Sequence, residues 1–391
     1  MDRMTRRRRF FYRVAVPVHL VLFACSAGAT HGAPRERQPA LRRLPDPLRM
    51  NSGKRVKTVA AWHERRDEIR ELLLRYEYGH VPAAPGNVVV ESEAEAEILN
   101  DGKTTHRQVA LAFGPGQTLM MKVELYLPRE ATAPCPAVLR IGLDAGPSRQ
   151  LNERGYAYVC YDQHALDPDP KVGTDIVGPA QMAYPDCDWG SLAVWAWGAS
   201  RTLDYLQTVP EVNTGQIVVT GHSRGGKTAL LAGALDERFA MVVPNGSGCG
   251  GAGCYRIQGT NSETLELIAS PERFKSWFQE DFGRFAGKED RLPFDQHFLK
   301  ALGAPRVLLS TAALGDLWAN PLGTQASYRA AQPVFDLLGA GKNNALHFRE
   351  GGHDQLPEDY AALLDFADLH FRGKPSATPF NVLPFPARTP G

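Results

Sequence analysis

The octapeptide GHSRGGKT, residues 221–228, carries two chemistries in one stretch. Gly221, Gly226, Lys227 and Thr228 satisfy the phosphate-binding pattern G-x-x-x-x-G-K-[ST], in which backbone N–H groups cradle phosphates and the lysine reaches them. Gly221, Ser223 and Gly225 satisfy the nucleophile-elbow pattern G-x-S-x-G, in which a strained strand-to-helix turn exposes a serine hydroxyl. The first pattern belongs to a nucleotide binder, the second to a serine hydrolase.

Context separates them. QIVVT reads as a strand and KTALLAGALD as the helix after it, so both patterns meet their local requirement. A phosphate loop usually opens its domain, and this turn follows several strands. A nucleotide hydrolase also needs an acid ending a neighbouring strand to hold magnesium. The next strand, FAMVVPNG, ends without one.

A hydrolase needs an acid and then a histidine, each in a loop after a later strand. Asp316 follows RVLLSTAAL in LGDLWANP, and His353 follows ALHFREG in GGHDQ. Ser223 is then the nucleophile and His353 the base. Asp316 holds the histidine tautomer and stabilises the imidazolium. Taken singly, Ser223 reads as a cap, Asp316 as a turn cap before Trp318, and His353 as loop polarity. The joint order of the three carries the catalytic reading. Small residues are expected at 221 and 225, where the elbow brings strand and helix together.

These residues need a sheet behind them. Residues 57–79 read as one amphipathic helix, with Trp62, Ile69, Leu72, Leu73 and Tyr76 at helical spacing and Gly79 as its stop. NVVVESEAEAEIL, RQVALAFG and LMMKVELYLP read as strands of an antiparallel N-terminal lead-in. PAVLRIGL and GYAYVCYD read as central strands, and WGSLAVWAWGASRTLDYLQ as a long helix. Further helices are GTQASYRAAQPVFDLLG and DYAALLDFADLHFRG, and the Pro-rich tail KPSATPFNVLPFPARTPG reads as extended on the surface. Alternating β and α segments predict an α/β fold with a mostly parallel central sheet and helices on both faces.

The chain has 391 residues, 43% of them hydrophobic, with 44 basic against 43 acidic side chains. That balance gives no electrostatic case for nucleic acid. Residues 1–35 are read as a processing segment: MDRMTRRRRFFYR is basic, VAVPVHLVLFACSAGA is apolar and ends in small residues, and a polar leader follows. The apolar run is too short for a comfortable membrane span. Cleavage after Ala29 or Ala33 is favoured; the alternative is a lipoprotein site at Leu22-Phe23-Ala24-Cys25, which would anchor Cys25 to lipid. The expectation is a secreted or periplasmic monomer, with residues 36–391 as one catalytic domain. Five cysteines remain, Cys135, Cys160, Cys187, Cys249 and Cys254, an odd number that leaves at least one unpaired. Buried thiols are the default, with a bridge from Cys249 or Cys254 as the alternative. No metal or other cofactor is implied.

GHSRGGKTA, NGSGCGGAGCYR, DLWANP and GGHDQ together resemble the bacterial glucuronoyl esterases of carbohydrate esterase family 15. RRDEIRELLLRYEYGHVP, DWGSLAVWAWGASRTLDYL and LPFDQHFLKALGAPRVLLS extend the resemblance from about residue 45 to residue 372. It implies an α/β-hydrolase that cleaves the ester between 4-O-methyl-glucuronic acid of glucuronoxylan and lignin alcohols. It implies Ser223 as nucleophile, His353 as catalytic histidine and Arg224 as an oxyanion donor. It implies Lys227 and Trp318 as substrate contacts, and Glu263 as a sugar-binding acid with Glu266 as competitor. Arg256 is read as structural. Some members carry the catalytic acid where this chain has Gly246, so the acid is expected from Asp316. The loop RIGLDAGPS departs from the family's Gly/Asn-rich loop, which implies a displaced backbone donor or a different pocket rim.

Two other functions compete. A broader carbohydrate carboxylesterase, of acetyl-xylan type, would not need Arg224 and Lys227 together. A catalytically silent carbohydrate-binding relative would not need Ser223, Asp316 and His353 intact.

Overall fold

The computed structural model of the protein describes residues 43–131, 134–169, 177–270, 273–274 and 276–386. These lie within the unit Gln38–Gly391. The processing segment, with Cys25, Ala29 and Ala33, lies outside the described residues.

One sheet contains β1 (Val89–Glu93), β2 (Glu97–Leu99), β3 (Thr104–Phe113), β4 (Leu119–Pro128), β5 (Cys135–Ile141), β6 (Ala157–Tyr161), β7 (Val212–His222), β8 (Met241–Asn245), β9 (Val307–Ala313) and β10 (Asn344–Arg349). Their spatial order is β1-β3-β4-β6-β5-β7-β8-β9-β10, with β2 beside β3. The pairings that involve β1 to β4 are antiparallel, including β4 with β6. Every pairing from β6 across to β10 is parallel. This is the expected α/β-hydrolase arrangement.

The helices are α1 (Val59–Leu73), α2 (Ser148–Glu153), α3 (Pro179–Ala183), α4 (Ser191–Leu206), α5 (Arg224–Leu235), α6 (Leu265–Ile268), α7 (His297–Gly303), α8 (Pro321–Leu337) and α9 (Pro357–Arg372). Strand alternation divides them between two cores. Ala137, Leu139, Ile217 and Val219 face a core that includes Leu192 and Trp195 of α4 and Leu230 and Leu231 of α5. Val138 and Val218 face a second core with Leu151 of α2 and Tyr360, Leu363 and Leu364 of α9. Because both faces are covered, the central strands are continuous apolar runs rather than alternating ones. Each fully buried large aliphatic side chain contributes roughly 1.5–3 kcal/mol.

Two elements differ from the sequence reading. The helix expected over residues 57–79 is α at Val59–Leu73 and continues as a π-helical turn, Leu74–Tyr78. That turn buries Glu77 and Tyr78 beneath the fold's loops. The run 87–99 is two strands, because β1 is exposed at every position and carries a register shift between Val90 and Ser92. A strand without a buried face has little to hold a long register.

Cys135, Cys160, Cys187, Cys249 and Cys254 are all free thiols, so no bridge involves Cys249 or Cys254. The tail runs along the β10 edge of the sheet. Asn381 N–H donates to the Leu346 carbonyl at 2.8 Å, and Leu346 N–H donates to Asn381 Oδ1 at 2.9 Å. Phe385 is tied to Gln325 of α8 through both its N–H and its carbonyl.

Candidate active site

The elbow forms where β7 passes into α5. Ser223 sits between them at φ 57° and ψ −120°, a strained conformation for a residue with a side chain. A Cβ at Gly221 would lie 2.4 Å from the Gly225 carbonyl oxygen, and one at Gly226 would lie 2.7 Å from that of Asn245. At Gly225 the nearest atom would be 3.4 Å away, an ordinary contact. The small residues the packing demands are therefore 221 and 226, which corrects the expectation for 225: it is the Gly225 backbone that crowds Gly221.

Asp316 follows β9 and His353 follows β10, so all three residues meet at the carboxyl ends of parallel strands. His353 Nε2 is 2.9 Å from Ser223 Oγ, and His353 Nδ1 is 2.7 Å from Asp316 Oδ2. Asp316 Oδ1 accepts the Ala319 N–H at 3.1 Å. Asp316 thus caps its turn and orients the imidazole with different oxygens, so its two readings coexist. The geometry suits proton transfer from a serine to a histidine whose other nitrogen faces a buried carboxylate.

Lys227 and Glu263 are both buried, and Lys227 Nζ donates to Glu263 Oε2 at 2.7 Å and to the Ser247 carbonyl at 2.6 Å. Burial pushes the Glu263 carboxyl up, and the ammonium opposes that rise. Thr228 Oγ1 donates back to the Arg224 carbonyl at 2.9 Å. With the lysine committed to Glu263 and the threonine to its own helix, the phosphate-loop arrangement is not formed. Glu266 is exposed, so Glu263 rather than Glu266 faces Lys227. The Glu263 N–H donates to the Trp318 carbonyl at 2.9 Å, which ties this pair to the Asp316 turn. Trp318 is half-buried, with the Arg273 guanidinium 5.6 Å from its ring centroid.

Arg224, beside the nucleophile, is ion-paired with Asp169. Asp169 also accepts the Trp277 indole N–H at 3.0 Å. Arg256 binds the Leu292 and Phe294 carbonyls and the Asp295 carboxylate, a structural role as read from sequence. The RIGLDAGPS loop is pinned by Arg140, which donates to the Gly142 carbonyl at 3.0 Å and to Tyr360 Oη at 3.1 Å.

His222, Asp169 and Trp277 escaped the sequence reading. The His222 ring lies 4.6 Å from that of His353. Its Nδ1 is 2.7 Å from Asn245 Oδ1, while Asn245 Nδ2 donates to Thr311 Oγ1 at 2.9 Å. His222 is thus tied through Asn245 to the Thr311 hydroxyl on β9. Burial lowers its pKa, and the nearby His353 lowers it further. Only the position of His222 inside the motif hinted at it.

Comparison with known proteins bears on this constellation. The family profile "Glucuronyl esterase, fungi" matches residues 112–339. The 4-O-methyl-glucuronoyl methylesterase of Phanerochaete carnosa is 30% identical over 86% of this chain and 82% of that protein. This chain belongs to carbohydrate esterase family 15, the glucuronoyl esterases. A family 15 glucuronoyl esterase from Caldicellulosiruptor kristjansonii superposes with TM-score 0.76 at 30% identity, covering 90% of this chain and 97% of that one. A glucuronoyl esterase mutant from Sporotrichum thermophile, in complex with methyl 4-O-methyl-β-D-glucopyranuronate, superposes with TM-score 0.71 at 26% identity, covering 88% and 91%.

Glucuronoyl esterase ancestry gives Gly246 a geometric meaning. It directly follows β8, at the position where the family resemblance implies the acid of some members, and its φ is +49°. A Cβ on it would lie 3.4 Å from Asp316 Oδ2 and 3.2 Å from His222 Cε1. A side chain at position 246 would thus start beside the same carboxylate that orients His353.

Proposed function

We propose that the protein is an exported serine esterase that hydrolyses esters of glucuronic acid, including the 4-O-methyl form found in glucuronoxylan. The observation that carries this reading is the Ser223–His353–Asp316 relay, with steps of 2.9 and 2.7 Å. Membership of the glucuronoyl esterase family and the uronate ester held by the Sporotrichum relative support the substrate class. The basic and apolar N-terminal segment supports export.

In this mechanism Ser223 Oγ attacks the uronate carboxyl carbon and passes its proton to His353 Nε2. The imidazolium is stabilised by Asp316. Arg224, with the backbone N–H groups at the start of α5, stabilises the tetrahedral oxyanion. Collapse breaks the bond to the alcohol, which leaves with the proton from His353. Water then attacks the acyl-enzyme with His353 as base, releasing glucuronic acid and restoring Ser223. In this reading the sugar binds against the half-buried Trp318, and the buried Lys227–Glu263 pair, tied to Trp318 through the Glu263 N–H, backs that side.

The test is hydrolysis of benzyl glucuronate against 4-nitrophenyl acetate by the wild type and Ser223→Ala. The expected result is preference for the uronate ester, lost in Ser223→Ala. Ser223-dependent hydrolysis of acetate alone would keep the nucleophile and refute the uronate assignment.

A further inference from the structure

Arg224 has a long, flexible side chain that is about half exposed, yet a donor to an oxyanion must be in place before charge develops. Its anchor starts deep in the protein. The N–H groups of Ser191 and Leu192, at the start of α4, donate to the carbonyls of Ser276 and Trp277 at 2.7 and 3.2 Å. Trp277 is 4% exposed, and its ring stacks on Phe274 with centroids 4.0 Å apart. Lys227 Nζ lies 5.9 Å from the same ring centroid. The indole is therefore held on several sides, and its N–H points to Asp169 Oδ1 at 3.0 Å. Asp169 Oδ2 takes Arg224 Nη1.

We propose that Asp169 is a positioning residue: fixed by the Trp277 indole N–H, it holds the Arg224 guanidinium beside Ser223 with its remaining N–H donors directed to the oxyanion. The inference rests on the reading of Ser223 as nucleophile and Arg224 as oxyanion donor. A carboxylate is suited to the task because it accepts only, through two oxygens, and so can grip an indole N–H and a guanidinium at once. Arg224 has five donors, and the pairing with Asp169 leaves others available. Asp169 touches no reacting atom. Its negative charge by itself opposes an oxyanion, so its benefit must come from orientation. That gives the proposal a sign: removing the charge should slow the reaction, whereas a merely neutralising partner would speed it when removed.

The experiment is a double-mutant cycle on the full chain with Asp169→Asn, Arg224→Met and the pair, and with Trp277→Phe as a second route to the same anchor. Two readouts are taken. One is steady-state hydrolysis of benzyl glucuronate. The other is the rate at which a 4-nitrophenyl phosphonate labels Ser223, a step that needs the oxyanion donors but no uronate. Asp169→Asn is expected to lower kcat and the labelling rate by about 10- to 100-fold with KM unchanged, somewhat less than the loss of an oxyanion donor outright. Trp277→Phe should shift both in the same direction by less. In the Arg224→Met background, Asp169→Asn should change either rate by no more than about twofold. Equal penalties in both backgrounds, a faster Asp169→Asn enzyme, or a rise in KM at constant kcat would each overturn the proposal. Absence of uronate hydrolysis with normal phosphonate labelling would refute the uronate reading alone, and the labelling cycle would still decide this one.

Discussion

Lys227 Nζ and Glu263 Oε2 lie 2.7 Å apart, and both side chains are almost wholly withdrawn from solvent. Breaking such a pair strands the partner charge. Lys227→Met and Glu263→Gln should each destabilise the protein by about 3–5 kcal/mol, and the double variant by clearly less than the sum. Urea unfolding of the four proteins measures this; simple additivity would show that the pair is not coupled.

Asp316→Asn should preserve the fold and lower kcat by on the order of 10⁴-fold with little change in KM, because an amide can favour the wrong imidazole tautomer. Steady-state kinetics check this. A loss carried by KM would assign Asp316 to binding instead.

Glu77 is fully buried, accepting the Tyr255 hydroxyl at 2.6 Å and the Gln296 amide at 2.7 Å. Burial raises its pKa to about 8 from an ordinary value of 4.5. Between these values the unfolded chain has lost the proton that the folded chain keeps, so stability falls as pH rises through this window. Glu77→Gln mimics the protonated acid. Its stability relative to wild type should therefore improve steadily from pH 5 to about pH 8 in urea titrations. A constant difference across that range would refute this assignment.

Lys300 presents the opposite sign. It is fully buried, with the Thr324 carbonyl 3.2 Å from Nζ, and burial lowers its pKa to about 7. Between that value and the ordinary 10.5 the unfolded chain binds the extra proton, so stability rises with pH. Lys300→Met should stabilise the protein most below about pH 7, with the gain shrinking above it. Thermal melts at pH 6 and pH 9 test this.

Gly225→Ala and Gly226→Ala should differ sharply although both glycines lie in the motif. The first adds a methyl at ordinary contact distance; the second drives one to 2.7 Å from the Asn245 carbonyl oxygen. Gly226→Ala should lose most activity and Gly225→Ala little, as measured by initial rates at matched folded fractions.

Ser223, Asp316 and His353 are legible in sequence because strand, turn and loop order in a parallel sheet is itself one-dimensional. Once β7, β9 and β10 are recognised, their C-terminal loops must share one end of the sheet. The central strands are legible for a related reason, since burial on both faces leaves an unbroken apolar run. Lys227 and Glu263 are placed by the family resemblance, but their mutual burial is not written in either neighbourhood. Asp169 and Trp277 left no local trace. Their link to Arg224 joins three distant segments, and an Asp in LDPDPK looks like ordinary loop polarity. The demand for glycine at 226 was hidden likewise, because the atom it would strike belongs to β8.

The Asn381–Leu346 contacts have a consequence outside the active site. β10 ends the sheet, and an uncovered edge strand is a template on which another chain can add. Asn381 occupies both backbone groups of Leu346, and the nearby Pro379 and Pro384 have no N–H with which to extend a ladder. The tail thus ends strand addition instead of passing it on. Without it, this stretch of β10 would stand as an open strand edge while Ser223, Asp316 and His353 kept their places, so the tail guards the sheet rather than the chemistry.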